Sequence, residues 1–100
     1  MLIRWNDQTI KWMADAEEYS GYYAKLAELI REQTGDSVTF CEPGSGAGFL
    51  TRELASFAKL VTAVEIDERA VSEINSLGLT NVTAVCADAA EHCVEADCAV

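Results

Sequence analysis

The run Glu42-Pro43-Gly44-Ser45-Gly46-Ala47-Gly48 sets a carboxylate and a hydroxyl among three alternating glycines. Glycines so spaced admit positive φ and a close approach of backbone to ligand, while amides at the start of a helix still need acceptors. A plain turn gains nothing from so many residues of high chain entropy. The segment therefore reads as a binding loop, with Glu42 placed to accept hydrogen bonds from loop amides or from a cationic amine on the ligand. A zwitterion suits it.

Two more carboxylates stand at matching places. Glu65, in Val64-Glu65-Ile66-Asp67, lies 21 residues after Gly44. At the end of a neighbouring parallel strand it can take both hydroxyls of a ribose, although a strand-end carboxylate that only meets water is the plainer alternative. Asp88, in Ala87-Asp88-Ala89, closes a third apolar run. It can accept a hydrogen bond from an adenine amino group, with Ile66 and Ala89 flanking the ring. It can equally cap the turn through Glu91, and the two uses are compatible. Asp67 has a sufficient role as the cap of the helix that follows it.

Two other nucleotide chemistries fit less well. A dinucleotide fingerprint needs a glycine three places after the second one, where this chain has Phe49. A phosphate loop needs Gly-Lys followed by Ser or Thr, and here Gly48 is followed by Phe49, Leu50 and Thr51. A carboxylate directly before the loop would also repel a pyrophosphate. His92 is the single histidine and sits in a weakly defined turn, so it reads as a solvent-facing or locally bonded residue and not as an acid or base. No catalytic residue is assigned.

These residues need elements to carry them. Residues 1–35 predict two helices. One is capped by Asn6 or Asp7 and runs to about Glu18, with Ile10, Met13 and Glu17 along one side. The other is capped by Ser20 and carries Tyr22, Tyr23, Leu26, Ala27, Leu29 and Ile30 up to Gly35. Trp12, Tyr19, Tyr22 and Tyr23 read mainly as packing against a sheet, with closure over a ligand as the second use. Residues 36–100 then alternate: strand Val38 to Cys41, helix Phe49 to Ala58, strand Leu60 to Ile66, helix Glu68 to Leu77, strand Val82 to Cys86, one or two turns from Asp88 to about Val94, and a strand opening at Cys98. Near-continuous apolar runs separated by helices predict an open parallel α/β sheet. With strands one, two and three side by side, Glu42, Glu65 and Asp88 share the carboxyl rim where such sheets bind ligands.

Length and charge narrow the partners. One hundred residues, half of them hydrophobic, suffice for one small core. The formal charge is −10, spread over both halves, and neither Lys nor Arg follows Arg69. A polyanion needs several phosphate-facing cations, so nucleic acid is a poor partner for this segment. The opening residues lack a basic start followed by an apolar run, no stretch is long enough to span a membrane, and the chain reads as cytoplasmic. Cys41, Cys86, Cys93 and Cys98 have no CxxC spacing. Cys41 and Cys86 read as buried filler, and Cys93 and Cys98 match no zinc pattern, so no metal is expected.

The order of Val38 to Gly48, Val61 to Asp67 and Val82 to Ala89 resembles the first three motifs of the Rossmann-like, class I S-adenosylmethionine-dependent methyltransferases. The wording of Val64-Glu65-Ile66-Asp67 and Ala87-Asp88-Ala89 is most similar to the ribosomal RNA adenine dimethyltransferases. The resemblance covers roughly residues 36–100. It implies a three-layer α/β/α fold and S-adenosylmethionine as cofactor. Glu42, Gly44, Gly46 and Gly48 would lie around its methionine part, Glu65 on the ribose hydroxyls and Asp88 at the adenine, with Ser45, Ile66 and Ala89 counted among the cofactor-binding residues. The superfamily's sheet has seven strands, so at most four are represented, and a longer protein or a partner covering the sheet edge is expected. Residues 1–35 would be a helical extension. The methyl acceptor stays open. Two alternatives accompany this reading: a noncatalytic cofactor-binding or interaction module, and an enzyme similar to the aminopropyltransferases.

Overall fold

The computed structural model describes residues 4–92 and 95–100. Helix α1 (Asp7–Ser20) starts at Asn6, whose side chain accepts from the Thr9 amide while the Thr9 hydroxyl accepts from the Asn6 amide. This reciprocal pair satisfies two groups that a helix start leaves open. Helix α2 (Tyr22–Thr34) begins at Gly21 and not at Ser20. The Ser20 hydroxyl still accepts from the Tyr22 amide, but the donors of the first turn go chiefly to Glu17.

The remainder alternates strand and helix: β1 (Thr39–Pro43), α3 (Phe49–Ala55), β2 (Leu60–Glu65), α4 (Glu68–Ser76), β3 (Val82–Cys86) and β4 (Cys98–Ala99). All pairings are parallel, in the order β3-β2-β1-β4. The α/β expectation holds, with β1 starting and ending later than the apolar run suggests. The steps β1 to β2 and β2 to β3 run in one direction across the sheet, so right-handed crossovers place α3 and α4 on the same face. Asp67 caps α4 by accepting from the Arg69 and Ala70 amides, and α4 buries Ala70, Val71 and Ile74, as the sequence predicts.

Phe40, Leu50, Leu54 and Val61 form the core together with Ala27 of α2, and Tyr23, Leu26 and Ile30 pack against them. One core thus spans both sides of residue 35. Asn81 closes the end of α3 by donating to the carbonyls of Ala55 and Ala58. At the other sheet edge, the Asp97 carboxylate accepts from the Thr39 amide and the Thr39 hydroxyl accepts from the Asp97 amide, which seats β4 beside β1. The bond from the Thr39 amide is the main cause holding the Asp97 carboxyl below its usual range.

Two expectations need correction. Cys41 is buried but Cys86 is exposed, because β3 is an edge strand and Cys86 ends it at the rim. Trp12, Tyr19 and Tyr22 are 60%, 95% and 60% exposed and do not pack on the sheet. Only Tyr23 turns inward, stacking on Phe49 at 6.0 Å between ring centroids. The turn after Asp88 is present through Glu91. Cys93 and Val94 lie outside the described residues.

Candidate functional site

The sheet's carboxyl rim holds the three acidic positions. Glu42 is the next-to-last residue of β1, in register with Ala63, and Glu65 ends β2 in register with Cys86. The chain beyond β3 stays at the rim, since the Ala87 amide donates to the Glu65 carbonyl at 3.1 Å. Asp88 is the next residue.

The glycine loop folds back on β2. The amides of Gly44 and Ser45 donate to the Val64 carbonyl at 2.8 and 3.3 Å, and the Gly46 amide donates to Glu65 Oε1 at 2.9 Å. These amides do not serve Glu42, so of the two partners expected for it the loop amides are not used. Glu65 is 9% exposed, and its second oxygen accepts from the Asp67 amide at 2.8 Å. It therefore braces the loop against the start of α4. Each carboxylate oxygen has further acceptor capacity on the open side.

Gly46 and Gly48 are bare for different reasons. A Cβ on Gly46 would stand 2.8 Å from the Trp5 ring, so the glycine lets an N-terminal aromatic lie on the loop. A Cβ on Gly48 would stand 2.9 Å from Ile74 Cγ1, so there the close approach is between α3 and α4. Both have positive φ, +59° and +91°, which penalises any replacement by an L side chain. The loop combines a ligand-side and a packing constraint.

A cavity of about 250 Å³ opens beside the loop. Its floor is Glu42 to Ala47 with Phe49 and Leu50, and its walls are Trp5, Met13, Tyr23 and Val100. Two polar groups within this lining stand out. Ser45 Oγ is buried and is without a hydrogen-bond partner. Glu42 is 5% exposed and accepts from Thr51 Oγ1 at 2.5 Å. Burial pushes the Glu42 carboxyl up to about 7, and the bond from Thr51 opposes that rise in part. Among the described residues no Lys or Arg forms an ion pair with it.

Glu65, Ile66, Asp88 and Ala89 do not line this cavity. Ile66 is 51% exposed, and its carbonyl lies 3.6 Å from Cys86 Sγ. Asp88 is exposed and accepts from the Ala90 amide at 2.9 Å, the capping use of its carboxylate. His92 is exposed, and among the described residues no metal-binding cluster occurs. The site thus has two parts: a half-open pocket on the β1 side of the loop and an exposed ledge along β2 and β3.

Sequence reasoning did not place Trp5, Met13, Thr51 or Val100 at the site. Thr51 carried the one usable signal, a polar residue between apolar ones on the buried side of α3, where it is wholly buried. Trp5 reaches the loop through its own amide, which donates to Asp67 Oδ2 at 3.1 Å. This bond, more than the capping amides, holds the Asp67 carboxyl below its usual range.

In sequence comparison no protein-family model and no curated protein matches the chain. Solved structures do. The 23S rRNA methyltransferase ErmE is 32% identical over 76% of this chain and 31% of its own, with a TM-score of 0.64. A dimethyladenosine transferase from Plasmodium falciparum is 28% identical over the same shares, with a TM-score of 0.64. Coclaurine N-methyltransferase, bound to N-methylheliamine and SAH, is 25% identical over 77% of this chain and 26% of its own, with a TM-score of 0.66. The chain spans about a quarter to a third of the length of these structures. With four parallel strands in this order and an acidic, glycine-rich turn at the rim, the chain has the fold of the Rossmann-like, class I S-adenosylmethionine-dependent methyltransferases that it is similar to.

Proposed function

We propose that this chain forms the cofactor-binding part of a transferase that moves a methyl group from S-adenosylmethionine to an acceptor. The observation that carries the reading is the pair of unmatched polar groups in one pocket. Ser45 Oγ is buried without a partner, and Glu42 is a buried carboxyl without a cation. A ligand end bearing both an ammonium and a carboxylate supplies what each lacks, so the residues fit the amino acid part of the cofactor. Glu65 has acceptor capacity left for ribose hydroxyls, and Ile66, Asp88 and Ala89 offer an apolar ledge with one acceptor for an adenine. Solved neighbours of this fold include one holding SAH.

The cofactor, when bound, supplies an electrophilic methyl on a sulfonium, open to in-line displacement without a covalent enzyme intermediate. The chain's own residues bind and orient. Glu42 and Ser45 fix the amino acid end, Glu65 fixes the loop and the ribose, and Trp5, Met13 and Tyr23 keep water from the pocket. Glu42 is binding chemistry and not a general base. The acceptor is a separate matter, since the neighbours include two RNA methyltransferases and one that acts on a small molecule. The net charge of −10 disfavours a polyanion held by this segment itself.

Calorimetric titration of the chain with S-adenosylmethionine and with NAD tests the reading. Binding of the first and not the second is expected, with affinity lost in Glu65→Ala and reduced in Glu65→Gln, which keeps the shape but not the charge. Binding of NAD alone overturns it.

A further inference from the structure

Glu42 is an unusual group to find on a pocket wall. It is buried, among the described residues its carboxylate accepts from the Thr51 hydroxyl, and it faces a cavity. The charged and titratable groups around it are few. From α2 comes the Tyr23 phenol, itself pushed up by burial and then by Tyr22, Glu17 and Glu42. From α3 comes Thr51, which is uncharged; the one cation of that helix, Arg52, lies over the Phe49 ring and pairs with Glu53. From β2 the register neighbour is Ala63. The loop offers the Ser45 hydroxyl, and the far wall is Val100. Among the described residues no Lys or Arg pairs with the carboxylate, so its ionised form lacks a counter-charge there until a ligand brings one.

We infer that Glu42 is neutral in the empty pocket and gives up its proton when a cationic ligand enters, with Thr51 as the positioning residue that keeps the carboxyl aimed at the cavity in both states. A hydroxyl suits that task because it can donate to a carboxylate and accept from a carboxylic acid. The O–H bond of the carboxyl breaks, the proton passes to solvent, and the ligand's ammonium keeps all of its own protons. Ligand uptake is thereby coupled to proton release, and a neutral analogue lacking the amine gains nothing from Glu42. The inference rests on the cofactor reading above for the identity of the cation. A burial-raised carboxyl near 7 places the coupling in the range where it matters.

Two measurements test it. The first needs no ligand: the Glu42 carboxyl carbon, followed by NMR, titrates with a midpoint near 7 in the chain, moves up in Thr51→Val, and returns in Thr51→Ser. A midpoint in the usual carboxylate range overturns the inference. The second is calorimetry with S-adenosylmethionine in two buffers of different ionisation enthalpy, at pH values where the ligand amine stays charged. About one proton is released per site, and affinity rises roughly eightfold from pH 5.5 to 6.5. Both effects vanish in Glu42→Gln, which still accepts from Thr51. Heat without buffer dependence overturns the coupling alone, whereas absence of heat at every pH overturns the cofactor reading and the coupling with it.

Discussion

The helices ahead of the glycine loop and the sheet behind it are held by different means. Behind the loop, β1, β2 and α3 supply residues of 0–1% exposure such as Phe40, Leu54, Val61 and Val64, and the strand register fixes the rim. Ahead of it, α1 buries only Glu17 and α2 only Ala27. Although Ala27, Tyr23, Leu26 and Ile30 seat α2 on the core, α1 and the segment before it depend on a few polar contacts: Glu17 to the amides of Tyr23 and Ala24, the Trp5 amide to Asp67, and Asp7 to Arg69. Yet the weakly held part supplies three walls of the pocket, Trp5, Met13 and Tyr23. A rigid sheet sets where the loop is, and a loosely attached cover sets how closed the pocket is. Elements with few buried apolar contacts open at lower cost than the core.

The largest test of that contrast is Leu54→Ala, which removes a side chain of 0% exposure from the core that α2 shares with the sheet. A loss of about 2–5 kcal/mol is expected. Denaturant unfolding followed by circular dichroism and by tyrosine signal should show α2 and the sheet melting together. If the Tyr23 signal departs before the sheet does, the shared core is not the unit that the contacts describe.

Next in size is the pH dependence of stability. The Glu42 carboxyl moves from 4.5 to about 7 on folding. Below 4.5 both states hold the proton and the group makes no difference. Between 4.5 and 7 the unfolded chain ionises while the folded one keeps the proton, so stability falls by about 3 kcal/mol as the pH rises, then levels off. Asp67 and Asp97 are held below their usual range and act in the opposite sense, losing stability only as the pH falls toward theirs. The difference between the wild type and Glu42→Gln across pH 4 to 8 isolates the first effect, because the variant lacks the falling limb and is the more stable protein at pH 8.

Much of this architecture was legible because its signals are local. Asp67 precedes a helix with inward Ala70, Val71 and Ile74, and three apolar runs alternate with helical stretches, so the parallel sheet and its rim follow from pattern alone. What the sequence hid was longer in range. The loop amides face β2 and not Glu42 because the partners at hand are the Val64 carbonyl and the Glu65 carboxylate, a choice set by strand register and not by spacing. Cys86 sits in an apolar run like Cys41, but only strand order reveals that its strand is an edge. Trp5 carries no periodic signal, since it precedes the helix, and its place on Gly46 depends on a hydrogen bond from its amide to a residue 62 positions away.

Glu17 offers a sharper and smaller perturbation. It accepts from the Tyr23 amide at 2.9 Å and the Ala24 amide at 3.2 Å, a cap reached from the preceding helix. Glu17→Ala leaves two donors of the first turn of α2 without it, and a cost of about 1–2 kcal/mol is expected. Hydrogen exchange should quicken at Tyr23 and Ala24 before it quickens in β1. An equal gain in β1 would show that the cover and the sheet open as one.

The smallest effect belongs to the clasp between Asp7 and Arg69. It joins α1 to α4 at 2.8 Å, and Arg69 also pairs with Glu73 at 3.0 Å, but Asp7 is 91% exposed. Exposed pairs contribute little and are screened by salt, so Asp7→Asn should leave global stability nearly unchanged. The cover should respond all the same, because among the described residues the neighbouring tether is the single bond from the Trp5 amide to Asp67. In a Trp12→Phe background the emission reports Trp5 alone. Loosening of the clasp should shift that emission to longer wavelength as the ring leaves Gly46, and raised salt should produce the same shift in the protein with Asp7 intact. An emission insensitive to both changes would mean that the ring is held by its contact with the loop itself, and that the cover is as firmly seated as the sheet.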